Sequence, residues 1–293
     1  MNLTNDIGII GSEAALGSRV GRSTNEHTQR SQNSDTSIPT VSRPLLKWFT
    51  WYSRRHIRRH FHSVRISRSG LPPASKLPLV IYSNHASWWD PLVGLVLKPE
   101  FFADRTLFAP MDAAMLERYR MFRKLGFFGV EPHSRRGAIQ FLRGAEAVLK
   151  SPQHLLAVTP QSRFADVRER PVHFEGGLGH LATRVEHALF VPFVAEYVFW
   201  EERLPEILVR FGEPVEVRRG QTSALTPEGW TRQLEQKLQA AQDALSIESQ
   251  RRDPIAFETL LSGGAGQGGI YDWWRGLRAK VRGEAFNREH GRK

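Results

Sequence analysis

A strand pattern and a helix start meet within a few residues of each other, and this junction constrains the fold more than any other stretch. Residues 77–82 form a short apolar run with several branched side chains, which predicts a buried strand. Asp90 and Pro91 then occupy positions that favour the first turn of a helix, and the apolar run 92–97 follows. The sequence therefore predicts a strand, a turn and a helix in direct succession.

His85 lies in that turn, five residues before Asp90. The spacing lets the carboxylate fold back onto the imidazole and fix its tautomer, as the aspartate of a Ser-His-Asp triad does. A histidine held in this way takes a proton from an alcohol that is about to attack a carbonyl. Such a pair also arises by chance, so the alternative is a capped helix with an incidental histidine. Asn84 before the histidine and Pro91 after the aspartate favour the catalytic interpretation.

Composition narrows the chemistry and the partners. The 293 residues include no cysteine, which excludes disulfides, a thiol nucleophile and a zinc-thiolate site. A net charge of +11 predicts an anionic partner: a membrane surface, a nucleic acid or a phosphorylated substrate. No apolar run reaches the roughly 18 residues of a spanning helix, and the N-terminus lacks the pattern of a secretory signal. We therefore expect a cytoplasmic protein that is peripheral on the inner face of the cell membrane.

The chain divides into four segments by composition. Residues 1–42 are rich in Ser, Thr, Asn and Arg and are predicted to be a disordered tail. Residues 43–70 interleave aromatic rings with arginines, which favours a membrane-surface helix over a helix packed on the domain or a nucleic-acid site. Residues 71–225 are predicted to form the α/β domain. Residues 226–293 are predicted to be a helical extension that begins with a regular helix at Thr226 and carries a second aromatic-basic stretch at 270–282.

Within the central segment, apolar runs alternate with helical patterns. Strands are predicted at 105–110, 127–132, 155–159, 188–195, 207–211 and 215–217, and helices at 111–124 and from Ser134 onward. The helix that begins near Ser134 carries Arg135 and Arg136 in its first turn, where free N–H groups and guanidinium groups favour an anion. His56 and His60 are four residues apart, but no HExxH pattern surrounds them, so no metal site is predicted.

The block from Asn84-His85 to Asp90-Pro91 resembles the NHxxxxD motif of the glycerolipid (lysophosphatidate-type) acyltransferase superfamily. Gly129 and Arg135 are similar to the second motif of that family, which contacts the glycerol phosphate of the acceptor, and Arg136 competes with Arg135 for this role.

Residues 160–163, Pro-Gln-Ser-Arg, resemble the third motif, PEGTR. Pro160 and Arg163 match it, whereas Gln161 replaces the glutamate and Ser162 replaces the glycine. The loss of the carboxylate changes hydrogen bonding and charge at the acceptor site, which makes a neutral glycolipid or another hydroxylated lipid more plausible as the acceptor. The matched blocks span about residues 78–217, in the order that the family has.

The resemblance implies a glycerol-3-phosphate acyltransferase-like fold, with a mixed central sheet flanked by helices. It implies transfer of a fatty acyl group from acyl-CoA or acyl carrier protein to a hydroxyl of a lysophospholipid or related glycerolipid, without a metal or other cofactor. His85 and Asp90 would be catalytic, and the substrate-binding residues would be Asn84, Gly129, Arg135, Arg136, Pro160 and Arg163. The alternatives are an acyltransferase for a non-phosphate lipid and a catalytically silent membrane-surface protein, while nucleic-acid binding is less favoured.

Overall fold

A computed structural model of the chain describes residues 38–220 and 225–264. The predicted disordered tail, apart from residues 38–42, and the aromatic-basic stretch 270–282 lie outside these residues. The helices are α1 (Arg43–His60), α2 (Asp90–Phe101), α3 (Ala113–Arg118), α4 (Arg135–Val148), α5 (Gly177–Ala182) and α6 (Pro227–Arg251). The strands are β1 (Ser63–Ser67), β2 (Leu79–Ser83), β3 (Thr106–Asp112), β4 (Phe127–Val130), β5 (His154–Val158), β6 (His187–Val198), β7 (Glu206–Phe211), β8 (Val215–Arg218) and β9 (Phe257–Ser262).

Within the described residues, nine strands form one mixed sheet in the order β4-β3-β5-β2-β6-β7-β1-β9, with β8 paired to β6. The five strands from β4 to β6 are parallel, whereas β6 and β7 are antiparallel, as are β1 and β9. Helices cover both faces, and this confirms the predicted α/β class with a mixed central sheet flanked by helices. The carboxyl ends of β2, β5, β3 and β4 share one edge of the sheet, which is where parallel sheets place their ligand sites.

The central strand β2 shows how the two faces are filled. Val80 and Tyr82 belong to one apolar cluster, which includes residues of α4, α5 and α6. Leu79 and Ile81 point the other way, into a second cluster with residues of α1 and α2. A strand that is buried on both faces has no solvent side, and for this reason its sequence is a continuous apolar run instead of an alternating one.

The predicted helix at 111–124 is wrong in its extent. Strand β3 continues to Asp112, whose carboxylate accepts hydrogen bonds from the N–H groups of Ala114 (2.7 Å) and Met115 (3.3 Å) and so caps the short helix α3. A separate 3₁₀ turn follows at Arg120–Leu125 and ends at Gly126, whose φ of 102° requires glycine. Helical spacing of the apolar residues does not distinguish one long helix from these two short pieces.

Two predicted segment boundaries are also wrong. The membrane-surface helix predicted at 43–70 ends at His60, and residues 63–67 form β1 inside the main sheet. The predicted helical extension from 226 onward is part of the same domain in its described portion, because α6 packs on the sheet and β9 pairs with β1. In β9 Phe257 and Leu261 are buried while Glu258 is exposed, so this six-residue strand adds two apolar side chains to the core.

Candidate active site

His85 and Asp90 meet in the turn after β2, at the carboxyl edge of the sheet. The Nδ1 atom of His85 lies 2.8 Å from Oδ2 of Asp90, and the side chains of the two residues are 16% and 9% exposed. Because a carboxylate accepts and does not donate, the imidazole Nδ1 carries the proton of this bond. The neutral ring therefore has its lone pair on Nε2, which is the arrangement that a general base needs.

Within the described residues, the Asp90 carboxylate accepts from three donors. Its Oδ2 atom also accepts from the Ser87 N–H at 3.1 Å, and its Oδ1 atom accepts from the hydroxyl of Tyr197 on β6. Burial, followed by the charge of Asp90 and the hydrogen bond to it, raises the pKa of the Tyr197 phenol well above its usual value. Tyr197 is therefore a protonated donor over the whole physiological pH range.

The loop after β5 holds the backbone of His85 from both sides. Oε1 of Gln161 accepts from the His85 N–H at 3.2 Å, and the Ala165 N–H donates to the His85 carbonyl at 2.9 Å. The ring of Phe164 lies over the imidazole with 4.3 Å between the ring centroids. Residues 161–165 thus fix both the main chain and the ring of His85.

The residues predicted to bind substrate differ in their burial and in their hydrogen bonds. Asn84 is buried, and its side-chain amide donates to the Ala195 carbonyl and accepts from the Ala195 N–H, each at 3.0 Å. This pairing extends the hydrogen bonding between β2 and β6 beyond Ser83 and gives Asn84 a structural role. That Asn84 also contacts substrate stays a prediction. Pro160 is also buried, and its carbonyl accepts from the Glu175 N–H at 2.9 Å. Its predicted contact with substrate likewise stays a prediction.

Arg163 lies in the same loop as Gln161 but is exposed, and its guanidinium pairs with the carboxylate of Glu169. The hydrogen bond that Arg163 donates to Glu169 raises the pKa of Arg163, and the pKa of Glu169 is lowered by the same contact. Ser162 has a φ of 53°, a left-handed conformation that glycine adopts more readily than serine. The loop therefore has the shape that the glycine of the resembled motif would allow.

Arg135 and Arg136 are exposed at the start of α4, after β4. Two strands, β5 and β3, separate β2 from β4, which places them about 14 Å apart at about 4.8 Å per strand. The two arginines share an edge with His85 without contacting it, and Arg136 pairs with Glu131 at 3.2 Å. A Cβ built on Gly129 would lie 3.4 Å from Ala113, so the fold itself does not demand glycine there.

A series of stacked rings connects α1 to the His85–Asp90 turn. Tyr52 stacks on Trp48 and on His56, at 5.9 and 5.6 Å between centroids, and His56 stacks on Trp89 at 5.1 Å. Trp89 in turn stacks on Trp88 at 4.1 Å. The surface helix α1 is thereby packed directly against the residues that separate His85 from Asp90.

Sequence reasoning finds the pair His85–Asp90 but misses Phe164, Ala165 and Tyr197. Phe164 and Ala165 directly follow the recognisable block 160–163, so extending that block by two residues would include them. Tyr197 is separated from Asp90 by 107 positions, and no local pattern marks it. No helix in residues 38–220 and 225–264 combines the length and the apolarity that crossing a membrane requires. The same residues contain no group of three or more His, Asp or Glu side chains that could hold a metal ion.

Comparisons with known proteins add little beyond this geometry. No model of a known protein family matches the chain, and no curated protein matches it by sequence. Among solved structures, the chain is similar to the crystal structure of the 1-acyl-sn-glycerophosphate (LPA) acyltransferase PlsC from Thermotoga maritima. That similarity has a TM-score of 0.47 and 15% identity, and it covers 69% of this chain and 80% of the other. A likeness of this size assigns neither family nor activity, so the chemistry is derived from the residues of the chain.

Proposed function

We propose that the protein is an O-acyltransferase that moves a fatty acyl group from a thioester to a hydroxyl of a lysophospholipid or related glycerolipid. The observation that carries the proposal is the His85–Asp90 pair, in which the Nδ1–H bond to the carboxylate leaves Nε2 as the base. The pair lies at the sheet edge where substrates approach strand ends, and the loop after β5 bonds both the N–H and the carbonyl of His85.

In the proposed reaction, Nε2 of His85 removes the proton from the acceptor hydroxyl as its oxygen attacks the thioester carbonyl. A C–O bond forms and gives a tetrahedral oxyanion, and Asp90 stabilises the imidazolium that has formed. The oxyanion then collapses, the C–S bond breaks, and the proton on Nε2 passes to the thiolate that leaves. The products are an ester and a thiol, without an acyl-enzyme.

Backbone N–H groups of the turn would stabilise the oxyanion, and the hydrogen bonds limit which ones are available. The N–H of His85 is bonded to Gln161, and that of Ser87 is bonded to Asp90. Within the described residues, the N–H groups of Ala86 and Trp88 have no acceptor, and we assign the oxyanion to these two donors.

The donor is proposed to be acyl-CoA or acyl carrier protein, and the site is proposed to work at a membrane surface. Trp48 and Trp51 on α1 are 46% and 58% exposed, and Arg55, Arg58 and Arg59 on the same helix are exposed beside them. Exposed indole rings with arginines suit the boundary between lipid tails and anionic headgroups.

The proposed acceptor carries a phosphate head group, and the alternative acceptor is a neutral glycolipid, which the replacement of the glutamate by Gln161 favours. Arg135, Arg136 and Arg163 are the exposed cations at this edge that would bind a phosphate. Their carboxylate neighbours Glu131 and Glu169 already pair with two of them, and a phosphate would have to displace these partners.

The test is thiol release from oleoyl-CoA by the purified protein, with 1-oleoylglycerol-3-phosphate and monooleoylglycerol as alternative acceptors in mixed micelles. We expect His85→Ala to lower kcat by about 10³-fold, because it removes the general base. His173→Ala, at an exposed histidine, is the matched control and should retain the wild-type rate.

Equal rates for His85→Ala and the wild type would remove His85 from the mechanism. No turnover by the wild type, either with oleoyl-CoA or with oleoyl-acyl carrier protein, would favour the catalytically silent membrane-surface protein instead. Mass spectrometry of the product identifies the acceptor.

A further inference from the structure

The hydroxyl of Tyr197 donates to the one oxygen of Asp90 that does not face His85. Oδ2 of Asp90 accepts from His85 Nδ1 at 2.8 Å and from the Ser87 N–H at 3.1 Å, while Oδ1 accepts from Tyr197. Within the part of the chain that the structure describes, no other donor reaches Oδ1. Hydrogen bonds therefore connect Tyr197 to Asp90 and Asp90 to His85.

We infer that Tyr197 is a positioning residue of the reaction proposed above, and the inference rests on that proposal. It holds the plane of the Asp90 carboxylate so that Oδ2 stays directed at His85 and the Nδ1-protonated tautomer persists. Tyr197 acts through Asp90 and does not contact the reacting atoms itself. A carboxylate with one oxygen unbonded rotates more freely, and a rotated carboxylate no longer selects the tautomer of the imidazole.

Tyr197 is well placed to act as a fixed support. It lies near the end of β6, where its backbone pairs with Ile207 of β7, and its ring packs 5.9 Å from that of the buried Phe61. The side chain is thus positioned by a strand in the interior of the sheet, whereas Asp90 lies at the start of α2. The bond ties the catalytic turn to β6, just as the pairing of Asn84 with Ala195 does.

A matched control exists in the same sheet. Tyr82 on β2 is fully buried, and its hydroxyl has no hydrogen-bond partner within the described residues. Tyr82→Phe therefore removes the same oxygen from a buried ring without breaking a hydrogen bond, whereas Tyr197→Phe removes it together with its bond to Asp90.

The first experiment measures kcat and KM for oleoyl-CoA in Tyr197→Phe, in Tyr82→Phe and in His85→Ala. We expect Tyr197→Phe to lower kcat about tenfold with KM unchanged, since a hydrogen bond to a charged group is lost at some distance from the substrate. Tyr82→Phe should keep the wild-type kcat. Tyr197→Phe is then combined with Asp90→Asn, where a residue that acts only through the carboxylate should change kcat less than about twofold.

The second experiment does not depend on turnover. Nitrogen-15 chemical shifts of the imidazole, assigned through His85→Ala and recorded at a pH where the ring is neutral, report which nitrogen carries the proton. The wild type and Tyr82→Phe should show the Nδ1-protonated form alone. Tyr197→Phe should show a mixture with the Nε2-protonated form.

The outcomes separate the two proposals. If His85→Ala turns over like the wild type, or the wild type shows no turnover, the proposed function fails, and the positioning role in that reaction falls with it. If His85→Ala is inactive while Tyr197→Phe matches Tyr82→Phe in both kcat and tautomer, the positioning role alone is overturned. An equal loss of kcat in the wild-type and Asp90→Asn backgrounds would also overturn it, because a general structural defect persists in both.

Discussion

The turn after β2 and the loop after β5 lie on neighbouring strands at one edge of the sheet, yet they hold their charged residues in opposite ways. In the first, Asp90 is 9% exposed, and its donors include Tyr197, which comes from another strand. In the second, the side chain of Arg163 is 52% exposed and pairs with Glu169, six residues further along its own loop. Within the described residues, Asp90 is held in part by a distant strand, whereas Arg163 bonds to residues of its own loop alone.

The difference in burial and hydrogen bonding gives the charged residues of the two regions different properties. Buried, multiply bonded groups keep one geometry, which proton transfer requires. Exposed ion pairs cost little to break, and the pair of Arg163 with Glu169 is of this kind. The β5 loop still serves the first region through Gln161 and Ala165, which hold the backbone of His85.

Asp90→Asn should have the largest effect, since it removes the buried charge of the first region. An asparagine in this position cannot select the Nδ1-protonated tautomer as a carboxylate does, so we expect kcat to fall by about 10³-fold with little change in KM. Steady-state kinetics with oleoyl-CoA check this, with Asp104→Asn at an exposed aspartate as the control. A variant with more than one tenth of the wild-type kcat would show that the carboxylate is not needed.

Asn84→Leu tests the buried support of the same turn. The variant leaves the N–H and the carbonyl of Ala195 unpaired in a buried position, and we expect a loss of about 3 kcal/mol in the free energy of unfolding. Urea denaturation measures the loss as a lower midpoint at constant slope. Gln250→Leu, at an exposed amide on α6, should shift the midpoint little, and equal shifts in the two variants would contradict the bridging role.

Gln161→Leu tests whether the β5 loop supports the first region. Without the side-chain acceptor, the His85 N–H loses its partner, and we expect the free energy of unfolding to fall by about 1 to 2 kcal/mol. The rate with oleoyl-CoA should fall as well, because the loop that carries Phe164 loses one of its two bonds to His85. Unchanged stability and rate together would show that Ala165 alone holds the loop in place.

Arg163→Ala should have the smallest effect. Because its ion pair with Glu169 is exposed, the urea midpoint should stay where it is, and the same holds for Arg168→Ala as the control. Any rise in KM should be confined to 1-oleoylglycerol-3-phosphate and absent with monooleoylglycerol. A large loss of stability would mean that Arg163 is as firmly integrated as Asp90.

The same contrast explains what could be predicted from the sequence. Strands β2, β5 and β6 and helix α6 follow from local apolar patterns, and the His85–Asp90 pair spans only five residues. The contact between Tyr197 and Asp90 joins positions 107 residues apart, and that between Asn84 and Ala195 spans 111 residues. Such pairs depend on strand order, which local periodicity does not specify. For the same reason the local pattern around Asn84 does not indicate that its side chain pairs with β6.

Strand β1 lies between β7 and β9, and this position has a consequence for how the chain is made. Ser63 pairs with Glu206 on one side and with Ser262 on the other, so both neighbours of β1 are synthesised long after it. A strand cannot join a sheet before its partners have left the ribosome, and contacts this distant in sequence form slowly. During synthesis, α1 with its exposed tryptophans therefore emerges well before the sheet that will anchor β1. Helix α1 has also left the ribosome before Tyr197, which donates to Asp90, has been made.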